Sequence, residues 1–102
     1  DGDFISVNPC ALRYVEVDGH YVVYHSPDGA VREYTTLSAA EKKISAGGAF
    51  VRCNRGQAVN LRFVTAVRRD TVEIDGEELI LARTQRNAFI KAYAEYMSGG
   101  GR

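Results

Sequence analysis

The chain has 102 residues, an ordinary hydrophobic content of 45% and a formal net charge of zero, with 13 basic and 13 acidic side chains. One domain of that size buries about 65% of its unfolded surface, so it needs no disulfide or metal to hold a core, and the composition excludes a disordered or fibrous chain. Unbroken apolar runs stop at four residues, far short of the ~20 that a membrane-crossing helix needs, and no stretch reads as a signal peptide.

In chain order, Phe4–Val7 alternates weakly and reads as a first strand, which Pro9 interrupts. Leu12–Val17 alternates next, with Leu12, Tyr14 and Glu16 on one face and Arg13, Val15 and Val17 on the other. Asp18-Gly19 is a hairpin pair, because both residues tolerate a positive φ. His20–His25 is a β-branched and aromatic run, Ser26–Gly29 is a second turn, and Ala30–Tyr34 completes an antiparallel meander.

The period then changes. Ser38 and Glu41 have capping-box spacing, which predicts a helix over Ala39–Ser45, stopped by Gly47-Gly48. Ala49–Arg52 and Gln57–Asn60 flank a loop at Cys53–Gly56, and Arg62–Arg68 is a further strand. Thr71–Ile74 and Glu77–Ala82 form a hairpin about Asp75-Gly76. The chain closes in a helix over Arg86–Met97. Its stripe of Phe89, Ile90, Tyr93, Tyr96 and Met97 reads as core packing or a dimer contact. The sum is a mainly β single domain over 1–102, with its core at about 4–97, a flexible glycine-rich tail at 98–102 and two short helices.

Little in this chain suits catalysis. His20, His25 and Cys53 are the only nucleophile-and-base set, and the two histidines, five apart on one strand, project to opposite faces. No Walker A loop, GxGxxG, HExxH or GxSxG occurs, so an enzyme, a metal site and a bound cofactor are not expected. Cys10 and Cys53 lie far apart and outside any CxxC pair, which suits small buried hydrophobes in a reducing cytoplasm.

The charge distribution says more than the sum. Residues 1–50 carry four basic and seven acidic side chains, whereas residues 51–102 carry nine and six. Arg52, Arg55, Arg62, Arg68 and Arg69 fall in a stretch without one acid, followed by Arg83, Arg86 and Lys91. Such a run is either a set of solvated strand edges or a basic face for phosphate, and arginine favours the second because a guanidinium fits phosphate and guanine edges. Arg55, Arg83 and Arg86 sit at loops and junctions, where a rigid sheet projects recognition residues. An arginine at a helix start opposes the dipole unless an anion faces it, which marks Arg86. The meander tyrosines read as half-buried sheet residues before base-stacking ones. Asn60 reads as a structural hydrogen-bonding residue, and Arg52 as a strand-face charge or a phosphate contact.

The run Phe50-Val51-Arg52-Cys53-Asn54-Arg55-Gly56-Gln57-Ala58-Val59-Asn60-Leu61 resembles the signature of LytTR DNA-binding domains. Three more pieces resemble that family, in its order: the Tyr14–Tyr21 hairpin, the helix after Thr36-Leu37-Ser38, and the closing hairpin with its basic step over Val72–Arg86. The resemblance covers about Phe4–Tyr96. It implies an elongated stack of small antiparallel sheets, with a short helix after the first meander and a C-terminal helix. Long loops of that fold enter successive major grooves of double-stranded DNA that carries tandem imperfect repeats, commonly as a homodimer. The role it implies is the output domain of a cytoplasmic bacterial response regulator of a two-component system, with no membrane contact. By position, it makes His20, Arg55 and Arg86 the base-contacting residues, and Asn54, Arg62, Arg83 and Asn87 supporting ones. The basic step departs from the family pattern, reading Arg83-Thr84-Gln85-Arg86. No receiver domain precedes Asp1, so the chain reads as an excised output domain or as a regulator without that module. The alternative is a protein–protein interaction module that uses the C-terminal helix or the sheet edges.

Overall fold

The computed structural model describes residues 8–100; the expected strand at Phe4–Val7 lies outside them. Among the described residues the strands are β1 (Tyr14–Asp18), β2 (Tyr21–Ser26), β3 (Gly29–Tyr34), β4 (Phe50–Asn54), β5 (Gln57–Asn60), β6 (Val64–Val67), β7 (Thr71–Ile74) and β8 (Glu77–Ile80). Helix α1 (Leu37–Ile44) follows β3, and α2 (Arg83–Glu95) follows β8. One sheet has the order β3-β2-β1-β5-β4 and the other β6-β7-β8, with every pairing antiparallel. The mainly β stack of small sheets is therefore present, in a body of 40 × 28 × 23 Å.

Strand alternation decides what each face buries. From β1 and β5, Val15 and Ala58 point to one side, where they pack with Leu12, Val22, Tyr24 and the Leu37, Ala40 and Ile44 stripe of α1. Tyr14 and Val59 point to the other side, into a second core with Cys53, Val72, Ile74, Leu81 and Phe89. The five-stranded sheet thus separates two cores. In the expected stripe of α2, Phe89 is fully buried and Tyr93 and Tyr96 are partly buried against the second core, while Ile90 and Met97 stay exposed.

Several boundaries move, each for a local reason. The Asp18–Tyr21 pairing makes Gly19-His20 the two-residue turn, with Gly19 at φ 65°, so His20 is a turn residue and not the first of a strand. Thr36, not Ser38, caps α1: its hydroxyl accepts the Ala39 N–H at 3.1 Å, and the helix starts two residues early. Gly47 and Gly48 serve close packing, since a Cβ would meet Pro9 at 2.0 Å and the Asn60 amide at 2.9 Å respectively. The expected strand from Arg62 begins as a 3-10 turn, Leu61–Phe63, because buried Asn60 accepts the Arg62 N–H and donates to the Leu12 carbonyl. The loop at Cys53–Gly56 shrinks to Arg55-Gly56. Helix α2 begins at Arg83 because the Ala82 N–H is held by the Cys53 carbonyl and Leu81 is buried; no side chain caps it. Its end widens into a π turn over Tyr96–Gly100, which closes at Gly99 with φ 109°. Of the cysteines, Cys53 is buried as expected, but Cys10 is exposed on a 3-10 turn.

Candidate nucleic-acid interface

Strand pairing gathers most of the candidate residues at one end. Glu16 of β1 lies opposite Gln57 of β5, so the Gly19-His20 turn sits beside the Arg55-Gly56 turn, and the Val17 N–H donates to the Gly56 carbonyl at 2.8 Å. The Ala82 N–H reaches the Cys53 carbonyl at 2.8 Å, which sets the start of α2 against the same β4–β5 hairpin. The Leu81 N–H donates to the Asp70 carbonyl at 2.8 Å, adding the 68–70 loop. One end therefore carries His20, Arg55, Arg83 and Arg86, together with Arg68 and Arg69. Arg62 is not among them. Its 3-10 turn follows β5 at the opposite end, where its guanidinium lies 5.6 Å from the Phe63 ring.

The side chains at the gathered end differ in freedom. Arg55, Arg69, Arg83 and Asn87 are exposed, and their side chains make no hydrogen bond or ion pair among the described residues. His20 is exposed, its ring 6.4 Å from Tyr34. Both line a shallow cavity of about 340 Å³ with Val17, Thr35 and Leu37. Arg86 is half-buried, and its Nη1 donates to the carbonyls of Arg68 and Arg69 at 3.0 and 2.6 Å. The anion expected at Arg86 is thus replaced, within the chain, by two carbonyl oxygens that brace the loop. Arg68 pairs with Glu73 at 2.8 Å and reaches Glu78 at 3.7 Å. Asn54 points into the fold: it accepts the Gly56 N–H at 2.9 Å and donates to Gln57 Oε1 and the Ile80 carbonyl, each at 2.8 Å.

Other candidates are tied up elsewhere. Arg52 holds Glu41 of α1 at 2.8 Å and touches Ser38, and the Glu41 bonds hold its pKa above the ordinary value. His25 stacks on Tyr14 with centroids 4.3 Å apart, and its Nε2 lies 2.6 Å from Glu16. Burial pushes the Cys53 thiol up to about 11, which keeps it protonated near neutrality and a poor nucleophile. No group of three or more His, Cys, Asp or Glu placed to hold a metal occurs among the described residues. No helix there is long and apolar enough to cross a membrane. Sequence alone leaves out Gln57 and Glu16; the only signal is a polar residue facing a polar residue across β5 and β1.

The family model of the LytTr DNA-binding domain matches residues 2–94. Among solved structures, the chain is similar to the LytTr DNA-binding domain assigned to a methyl-accepting/DNA response regulator from Bacillus cereus. The two share 20% identity at a TM-score of 0.76, over 86% of this chain and 85% of that one. No curated protein matches.

Proposed function

The chain belongs to the LytTr DNA-binding domain family, and from that premise we propose that it reads double-stranded DNA as the output domain of a cytoplasmic bacterial transcription regulator. The observation that carries this reading is the convergence of His20, Arg55, Arg83 and Arg86 on one end, with no acid bonded to any of these arginines among the described residues. Arg55, at the tip of a two-residue turn, enters the major groove and donates both arms to guanine O6 and N7, a pairing that discriminates by about 1–3 kcal/mol. His20, on the neighbouring turn, contacts a base edge or a phosphate. Arg86, with one arm on the 68–70 loop, turns its remaining donors to the backbone or a base. Arg69, Arg83 and Asn87 hold phosphates, which position the protein without reading sequence. Arg62, at the far end, stays outside this face.

Two copies on tandem imperfect repeats, under a receiver or another regulatory domain, complete the reading. The domain binds; it does not catalyse. Selection of the chain against random duplexes, followed by anisotropy at two salt concentrations, tests it. Enrichment of a repeated motif with steeply salt-dependent affinity is the expected result; no enrichment and no salt dependence would remove it.

A further inference from the structure

The aim of the Arg55 turn is set by its neighbours, and its importance rests on the DNA-reading role proposed for Arg55 above. The Asn54 amide is saturated. Its two N–H donors go to the Ile80 carbonyl and to Gln57 Oε1, and its oxygen takes the Gly56 N–H. The backbone fixes that orientation, because the Gly56 N–H requires an acceptor and the Ile80 carbonyl requires a donor. Gln57 must then present its oxygen to Asn54 and its N–H to Glu16 Oε1, at 3.0 Å. The other Glu16 oxygen faces His25 Nε2 at 2.6 Å. An ionised carboxylate only accepts, so His25 carries the proton on Nε2. The His25 ring in turn stacks on Tyr14, which is buried in the core. An unbroken chain of side chains therefore runs from a core ring to the turn that carries Arg55.

We infer that Gln57 and Glu16 are positioning residues of the DNA-reading end: they lock the Asn54 amide, and through it the aim of Arg55. A bidentate guanine contact needs both guanidinium arms placed at once, so a turn free to swing keeps its charge near the DNA but loses discrimination. A role in stability alone predicts something else, a loss spread evenly over every duplex.

The test uses the full chain with the duplex that the wild type selects, and the same duplex with the Arg55-contacted base pair changed. Gln57→Leu is expected to lower the affinity ratio between the two about tenfold and leave the salt slope unchanged. In an Arg55→Ala background, Gln57→Leu is expected to change the ratio no further. Glu16→Ala should behave like Gln57→Leu, and Glu16→Gln should recover most of the ratio, because an amide oxygen still accepts from Gln57 and His25, with its proton moved to Nδ1, accepts the amide N–H. In the DNA-free protein, Gly56 amide exchange should quicken about tenfold in Gln57→Leu while exchange at Val59 stays put. An unchanged ratio in Gln57→Leu, or an equal loss in both backgrounds, would overturn the inference. A wild type that distinguishes no base pair sinks the DNA reading instead. The relay then stands or falls on Gly56 exchange, and no quickening there overturns it too.

Discussion

Arg13 at one end of the molecule and Arg55 at the other are treated in opposite ways. At the end formed by the Pro27-Asp28 turn, the Leu61–Phe63 turn and Asp75-Gly76, Arg13 donates to Asp75 and to the Ala11 carbonyl, and its guanidinium lies 3.7 Å over the Phe63 ring. Asn60 is fully buried there with both ends of its amide used, and Gly47 and Gly48 let the backbone close in. At the other end Arg55, Arg69 and Arg83 stand exposed with no bonded acid among the described residues. An exposed, unpaired cation costs a folded protein little. Several together raise a positive potential that draws in an anion. One end is built to be finished within the chain, and the other to be finished by something outside it.

Substitutions at the two ends should therefore fail in different ways. Asn60→Leu, at the closed end, leaves the Leu12 carbonyl and the Arg62 N–H unpaired, and is expected to lose about 3 kcal/mol of stability in urea denaturation. A variant as stable as wild type would mean that this end is not closed as described. Arg55→Ala, at the open end, is expected to weaken specific DNA binding by about 2 kcal/mol with an unchanged unfolding midpoint. A loss of stability would instead make Arg55 a structural residue.

Tyr24→Phe probes the meander between the ends and is expected to cost about 1 kcal/mol near neutrality. The Tyr24 hydroxyl, with Lys43 adding to it, holds the Glu33 pKa below its ordinary value of 4.5. The stabilisation is therefore present above that value and lost as pH falls through the lower folded one. Wild type and Tyr24→Phe should converge in acid, and a gap constant with pH would contradict the coupling. Arg62→Ala should be the mildest change, within about 0.5 kcal/mol in stability and without effect on sequence discrimination. A clear loss of discrimination would extend the reading face to the far end.

What the sequence shows of this arrangement depends on how local each cause is. Asp75-Gly76 is legible because both residues take positive φ, at 52° and 81°, which few other pairs tolerate. The meander is legible from its alternation. The start of α2 is not, because a contact from the Ala82 N–H to the Cys53 carbonyl, 29 residues away in sequence, decides it in place of a cap. The capping spacing of Ser38 and Glu41 misleads for a similar reason, since both side chains turn to Arg52 on β4. For the candidate face, the arginines are visible one by one. That His20 and Arg55 share an end while Arg62 does not follows from the β1–β5 pairing, and Arg83 joins them through the Ala82–Cys53 contact; no local pattern encodes either.

That central pair has a consequence for how the molecule comes apart. Along β1, Tyr14 and Val15 are neighbours in sequence but belong to opposite cores. Deleting one residue there would exchange the contents of both interiors at once. Neither interior can melt alone either, because each keeps one face of the same two strands dry. The domain should therefore denature in a single cooperative step. The two turns that carry His20 and Arg55 leave from the ends of those strands, and they should lose their shape in that same step.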